Sequence, residues 1–159
     1  MLLDLDDREG IEDWLAEVDT EPPPENPFKR YVVRPHCDWQ TAPETGRRLY
    51  RRFSCAGFVV ECYRSVGINL VNTREADLPD VEYAMIKHAY PQVKDRANVQ
   101  EAMGGLTLDD LGLGGDGPWQ VVLAGYVFHA LDEISDENPR AAPHAPASTA
   151  EAYYPKPLP

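Results

Sequence analysis

The chain has 159 residues, 43% of them hydrophobic, which is enough for one ordinary domain with a single core. Its formal charge of −12, from 15 Lys and Arg against 27 Asp and Glu, argues against a general nucleic-acid binder, which has to neutralise phosphates. The longest apolar stretch, Val121 to Leu131, is too short to span a bilayer and is interrupted by His129, so no membrane association is expected.

Residues 8–18 place Ile11, Trp14, Leu15 and Val18 at helical spacing with acids on the other face, which predicts a short amphipathic helix. The segment TEPPPENP, from Thr20 to Pro27, stops that helix and forms a stiff connector, because consecutive prolines remove donors and favour extended backbone. Residues 1–27 therefore read as an N-terminal helix and connector outside the main domain.

Tyr31 to Arg34 and Leu49 to Phe53 read as the strands of a long hairpin that turns at Pro43-Glu44-Thr45-Gly46. A turn centred between Glu44 and Thr45 sets His36 opposite Phe53 and Arg34 opposite Cys55, bringing His36 near Cys55. Pro35 marks a bulge or strand end at which that register changes. The same segment reverses the charge of the chain. From Lys29 to Arg52 there are seven basic residues against Asp38 and Glu44, a local +5 beside −17 elsewhere. Two readings are open: these cations dock an anionic ligand, or they pair with the acidic surface of their own protein.

The stretch FSCAGFVVECYRSVGI, residues 53–68, predicts an amphipathic helix from Cys55 to Val66, capped by Ser54 and ended by Gly67. Cys55, Phe58, Val59, Cys62 and Val66 fall on one stripe of it. Ile68 to Val71 reads as a short strand, Val81 to Tyr90 as a helix stopped by Pro91, and Ala97 to Met103 as a short helix stopped by Gly104 and Gly105. Thr107 to Leu111 reads as a single turn. The run GLGGDGP, residues 112–118, lacks the Lys-Ser/Thr of a phosphate-binding loop and reads as a connector.

Pro118 suits the first position of a helix running to about Glu133, central and apolar nearly all round; the alternative is a strand from Gln120 to Ala124 broken at Gly125. Residues 135–159 are rich in Pro and Ala with few apolar side chains, and read as a disordered tail. The organisation expected is thus 1–27, 28–134 and 135–159. The middle part is an α+β domain in which a small antiparallel hairpin or sheet packs against several helices. The start MLLDLDDREG has no basic n-region, and Cys37, Cys55 and Cys62 are odd in number, so a reducing cytoplasm with free thiols is expected.

Cys55 is the residue with the most chemistry. It stands at the first turn of its helix, where free amides and the helix dipole favour negative charge, and thiolate is the nucleophilic form of cysteine. His36 is the candidate base, with Asp38 within reach to orient it; His129, on a helix, is the other candidate base. Read without function, Cys55 and Cys62 are small core residues, His36 belongs to a loop or ladder, and Trp39, Tyr50, Tyr63 and Trp119 are packing residues that otherwise line a pocket. His88 reads as a surface residue, and His144 lies in the tail. His36, Cys37, Cys55 and Cys62 match no common zinc spacing, and no metal or cofactor is expected.

The residues SCAGFVVECYRSVGI resemble the active-site helix of the NlpC-like cysteine peptidases, where Cys, a small residue, Gly and an aromatic open a helix that ends in a Gly-Ile turn. The likeness covers about fifteen residues and includes Cys55, Ala56, Gly57, Phe58, Tyr63, Gly67 and Ile68. It implies a papain-like α+β fold and cleavage or transfer of amide bonds. In the ordinary order of that family a His opens a strand after the Cys, and no such segment follows Cys55. In the circularly permuted order the His precedes the Cys, which leaves His36. One reading is accordingly a thiol hydrolase or acyl transferase acting on a peptide or small amide. The other is a non-catalytic interaction protein that keeps the helix as scaffold and binds a protein partner.

Overall fold

The computed structural model describes residues 3–93, 98–133, 140 and 142–153. It is a mixed α+β structure, with five α-helices and two small antiparallel two-stranded sheets among the described residues. The helices are α1 (Leu5–Thr20), α2 (Cys55–Arg64), α3 (Tyr83–Ala89), α4 (Val99–Ala102) and α5 (Ala124–Glu133). One sheet is the hairpin β1 (Cys37–Thr41) and β2 (Arg48–Phe53); the other pairs β3 (Asp80–Val81) with β4 (Trp119–Gln120). No helix among the described residues is long and apolar enough to cross a membrane.

The core gathers Val60 of α2, Ile86 of α3 and Tyr126 of α5 around Ile68, Leu70 and Val71, with Leu111, Leu113 and Leu123 closing it. All nine are at most 1% exposed. The loops as well as the helices supply this core, which is why so few strand residues suffice.

The hairpin departs from its expected form in two ways. The first strand begins at Cys37 and not at Tyr31. Val32 and Val33 are buried but send their N–H groups to Phe53 O and Leu111 O, and the chain then passes through a cis Arg34–Pro35 bond before pairing starts. The register also changes along the ladder. Thr41 pairs with Arg48 as the turn dictates, but an irregularity between Gln40 and Thr41 shifts every later pair by one, so that Cys37, not His36, faces Phe53. A one-residue slip exchanges the faces of all side chains beyond it.

Four other elements differ from expectation. Ile68 to Val71 form no strand, and Val71 makes only a single bridge to His144. Val81 belongs to β3, so the predicted helix over 81–90 begins only at Tyr83. Of the predicted helix over 97–103, α4 spans Val99–Ala102, and Ala97 lies outside the described residues. The apolar run after Pro118 is not one helix: Trp119 and Gln120 pair with β3, Val121 to Leu123 are buried outside any helix or strand, and α5 starts at Ala124. Gly125 does not break that helix. A Cβ there would come within 2.1 Å of Ala152 O, so glycine is what lets the C-terminal segment lie against α5.

That contact corrects the reading of 135–159 as a wholly disordered tail. His144 N–H donates to Leu70 O and its carbonyl accepts from Asn72 N–H, Pro146 is buried, and a single 3₁₀ turn at Thr149–Ala152 sits on α5. Backbone groups, the glycine and His144, which meets Glu133 and His129 of α5, make the attachment, and composition does not register such long-range partners. Residues 135–139, 141 and 154–159 of the predicted tail lie outside the described residues. The N-terminal helix is likewise part of the body. Trp14 stands 5.9 Å from the ring of Phe53 and 5.4 Å from that of Phe58, and Asp7 forms an ion pair with Arg140.

Candidate functional site around Cys55

Ser54 caps α2 as its sequence position implies: its Oγ accepts from Gly57 N–H at 2.8 Å and its carbonyl accepts from Phe58 N–H at 2.9 Å. The amides of Cys55 and Ala56 stay outside the intrahelical ladder, and the positive end of the helix dipole adds to them. Cys55 itself is exposed, so it is not the buried core residue of the structural reading.

The one hydrogen-bond partner of its sulfur among the described residues is Tyr31, whose hydroxyl lies 3.8 Å from Sγ. Burial, reinforced by Tyr90 and Cys55, pushes the Tyr31 phenol far above its ordinary range, so it stays protonated; either group can donate in this pair, and the phenol is the donor when the sulfur is a thiolate. Tyr90 packs edge-on to Tyr31 with ring centres 6.3 Å apart, and its own hydroxyl donates to Val122 O at 3.3 Å. Tyr31 also lines a cavity of about 380 Å³, with Pro27, Phe28, Arg30 and Met103 around it. Neither tyrosine stood out in the sequence. Tyr31 precedes Cys55 by 24 residues, and only the fold closes that distance.

His36 occupies the other side of α2. Its carbonyl accepts from Ser54 N–H at 2.9 Å, and a Cβ on Gly57 would fall within 1.9 Å of that carbonyl oxygen. The ring turns along the helix, with Nε2 at 3.0 Å from Oε1 of Glu61. At about 100° per residue, Gly57 and Glu61 lie roughly 160° and 120° around the helix from Cys55. The imidazole therefore faces a separate cavity of about 310 Å³, shared with Arg34, Thr73, Glu75 and Val122. The backbone of His36 is adjacent to the cysteine helix as expected, while its side chain makes no hydrogen bond with Cys55.

Asp38 does not orient His36 either. It sits on β1 with its carboxylate 3.9 Å from Arg52, and Glu61 holds the ring instead. Burial alone would push the Glu61 carboxyl up, but the hydrogen bond with His36 and the nearby Arg64 outweigh it and hold Glu61 below its ordinary value. His129 stacks against His144 at 6.3 Å, and His144 in turn bridges Glu133 at 2.7 Å and Glu151 at 2.6 Å. The His88 ring lies 5.4 Å from that of Tyr153, tilted by 33°.

Cys37 and Cys62 are half-buried, and burial raises both thiols, that of Cys37 to about 12. The cysteines are free, and no set of three or more His, Cys, Asp or Glu among the described residues is arranged to hold a metal ion. Trp119 is buried with Nε1–H donating to Gly114 O at 3.0 Å, and Trp39 lies under the guanidinium groups of Arg48 and Arg51, both 5.1 Å from its ring.

The basic segment is answered largely from within the chain. Arg30 pairs with Glu21, Arg51 with Glu17 and Glu21, Arg34 with Glu75, and Arg52 with Asp38. This is the second of the two readings of its charge.

Comparison of the chain with protein-family models, with curated proteins and with solved structures returns no match.

Proposed function

We propose that the chain is a thiol hydrolase or acyl transferase in which Cys55 is the nucleophile. The observation that carries this reading is the placement of an exposed thiol at a capped helix start with a protonated phenol, Tyr31, 3.8 Å from its sulfur. In the step proposed, the Cys55 thiolate attacks a carbonyl carbon and an S–C bond forms. The oxyanion is met by the Cys55 and Ala56 amides, and the leaving group departs as the carbonyl re-forms. The leaving group takes its proton from solvent at this exposed site, and Tyr31, which keeps its own proton, hydrogen-bonds the sulfur. Water or a second nucleophile then releases the acyl group from sulfur.

His36 supports this site from behind. Its carbonyl fixes Ser54 and fills the space over Gly57, so the first turn of α2 is held in place while the imidazole is tied to Glu61. That tie favours a second reading, a non-catalytic interaction protein in which α2 is scaffold, because a base turned to the far face of the helix does not take the thiol proton.

The test is a panel of fluorogenic thioester, ester and amide substrates, assayed with the wild type and Cys55→Ser, with intact-mass detection of an acyl adduct. The hydrolase reading expects turnover or a trapped adduct lost in Cys55→Ser. Absence of both, in a protein whose Cys55 still alkylates, leaves the scaffold reading.

A further inference from the structure

The end of α1, the proline-rich connector and Phe58 of α2 enclose an open groove of about 780 Å³. Its walls include Leu15, Val18, Asp19, Pro23 and Phe58. Leu15 and Phe58 are 39% and 37% exposed, unusual for large apolar side chains so close together. Leu5, at 68% exposure, and Glu12 share this side of α1 at helical spacing.

The unpaired charge beside the groove is acidic. Helix α1 carries seven acids against Arg8. Asp7 is held by Arg140 and Glu17 by Arg51, while Asp6, Glu9, Glu12, Asp13 and Asp19 have no ion-pair partner among the described residues. Arg30, at the groove, is already bound to Glu21.

We infer that this groove docks a cationic amphipathic helix from another protein, with its apolar side chains on Leu15, Val18 and Phe58 and its Lys or Arg side chains facing Glu12 and Asp19. The apolar contact supplies burial and the acids supply selection, the usual division of labour when a helix lies in a groove. A second copy of this chain is a poor occupant, since each copy carries −12. The inference is independent of any chemistry at Cys55.

Calorimetric titration of the full chain with a Leu/Lys amphipathic helical peptide, and with a Leu/Glu peptide of the same apolar pattern, tests it. The Leu/Lys peptide is expected to bind about tenfold or more tightly than its counterpart, with affinity falling as salt is raised. Leu15→Ser, at an exposed position that leaves the core closed, is expected to weaken binding about fivefold. The double variant Glu12→Lys/Asp19→Lys is expected to weaken it about tenfold, while Glu44→Lys in the hairpin turn changes it by less than about twofold. Equal binding of the two peptides, binding of neither, or an equal effect of Glu44→Lys overturns the inference. So does a dimer in sedimentation that Leu15→Ser dissociates, since the face then belongs to a second copy.

Discussion

The hydroxyl of Tyr31 lies 3.8 Å from Sγ of Cys55, while the imidazole of His36 is anchored to Glu61 around the other side of the same helix. The cysteine thus has a phenol, and no imidazole, for its hydrogen-bonding neighbour among the described residues, and it stands exposed at a helix start.

The three thiols are expected to alkylate in a fixed order. Cys55 is exposed, whereas burial raises Cys62 and pushes Cys37 up to about 12. Site-resolved mass spectrometry after iodoacetamide at neutral pH should show Cys55 modified at least about tenfold faster than Cys37. Equal rates in the folded protein would count against the exposed thiol described above.

Tyr31→Phe removes the one side-chain hydrogen bond to the sulfur and keeps the ring against Tyr90. Alkylation of Cys55 is expected to slow about threefold, with far-ultraviolet circular dichroism unchanged, because a hydrogen bond to a charged group favours the charged form. An unchanged rate would deny Tyr31 any part in the site.

Ser54 is 1% exposed and caps α2 through Gly57 N–H. Ser54→Ala should cost about 1–2 kcal/mol in urea unfolding, since a lost cap at a buried helix end has no water to replace it.

Glu61 is held below its ordinary carboxyl value of 4.5, with the His36 hydrogen bond and Arg64 overcoming the opposing effect of burial. A carboxyl depressed in the folded state binds fewer protons there than in the unfolded chain. The stability it contributes is therefore present above the ordinary value and lost as the pH falls through the folded one. Urea midpoints measured from about pH 6 down to about pH 3 should fall more steeply in the wild type than in Glu61→Gln. Parallel slopes would remove Glu61 from the acid response. At the alkaline end Cys37 acts in the opposite sense: its thiol is raised, so stability is lost as the pH climbs from 9.0 toward about 12, and Cys37→Ala should flatten that limb.

Local signals were legible in the sequence and long-range ones were not. The Ser54 cap, the start of α2 at Cys55, the left-handed Gly67 with φ +79° and the hairpin turn all depend on residues a few positions apart, and all are found as read. The register between β1 and β2 failed at Gln40, where an irregularity that no residue type announces moves His36 out of its expected place. The partners of Cys55 and His36, Tyr31 and Glu61, lie 24 and 25 positions away from them, and helical phase, not spacing, decides which of them meet. The attachment of residues 142–153 was hidden because it runs through backbone hydrogen bonds, the vacant side of Gly125 and contacts of His144 with Glu133 and His129, none of which composition announces.

Gly57 carries one last consequence. The carbonyl oxygen of His36 occupies the place where its side chain would be, at 1.9 Å from an added Cβ. The glycine two residues after the cysteine is thus demanded by a backbone crossing, whatever the thiol does. A Cys-small-Gly-aromatic signature can persist in a chain as the imprint of that crossing, outliving or preceding any reaction, so the motif records an architecture first and an enzyme only where the sulfur proves active.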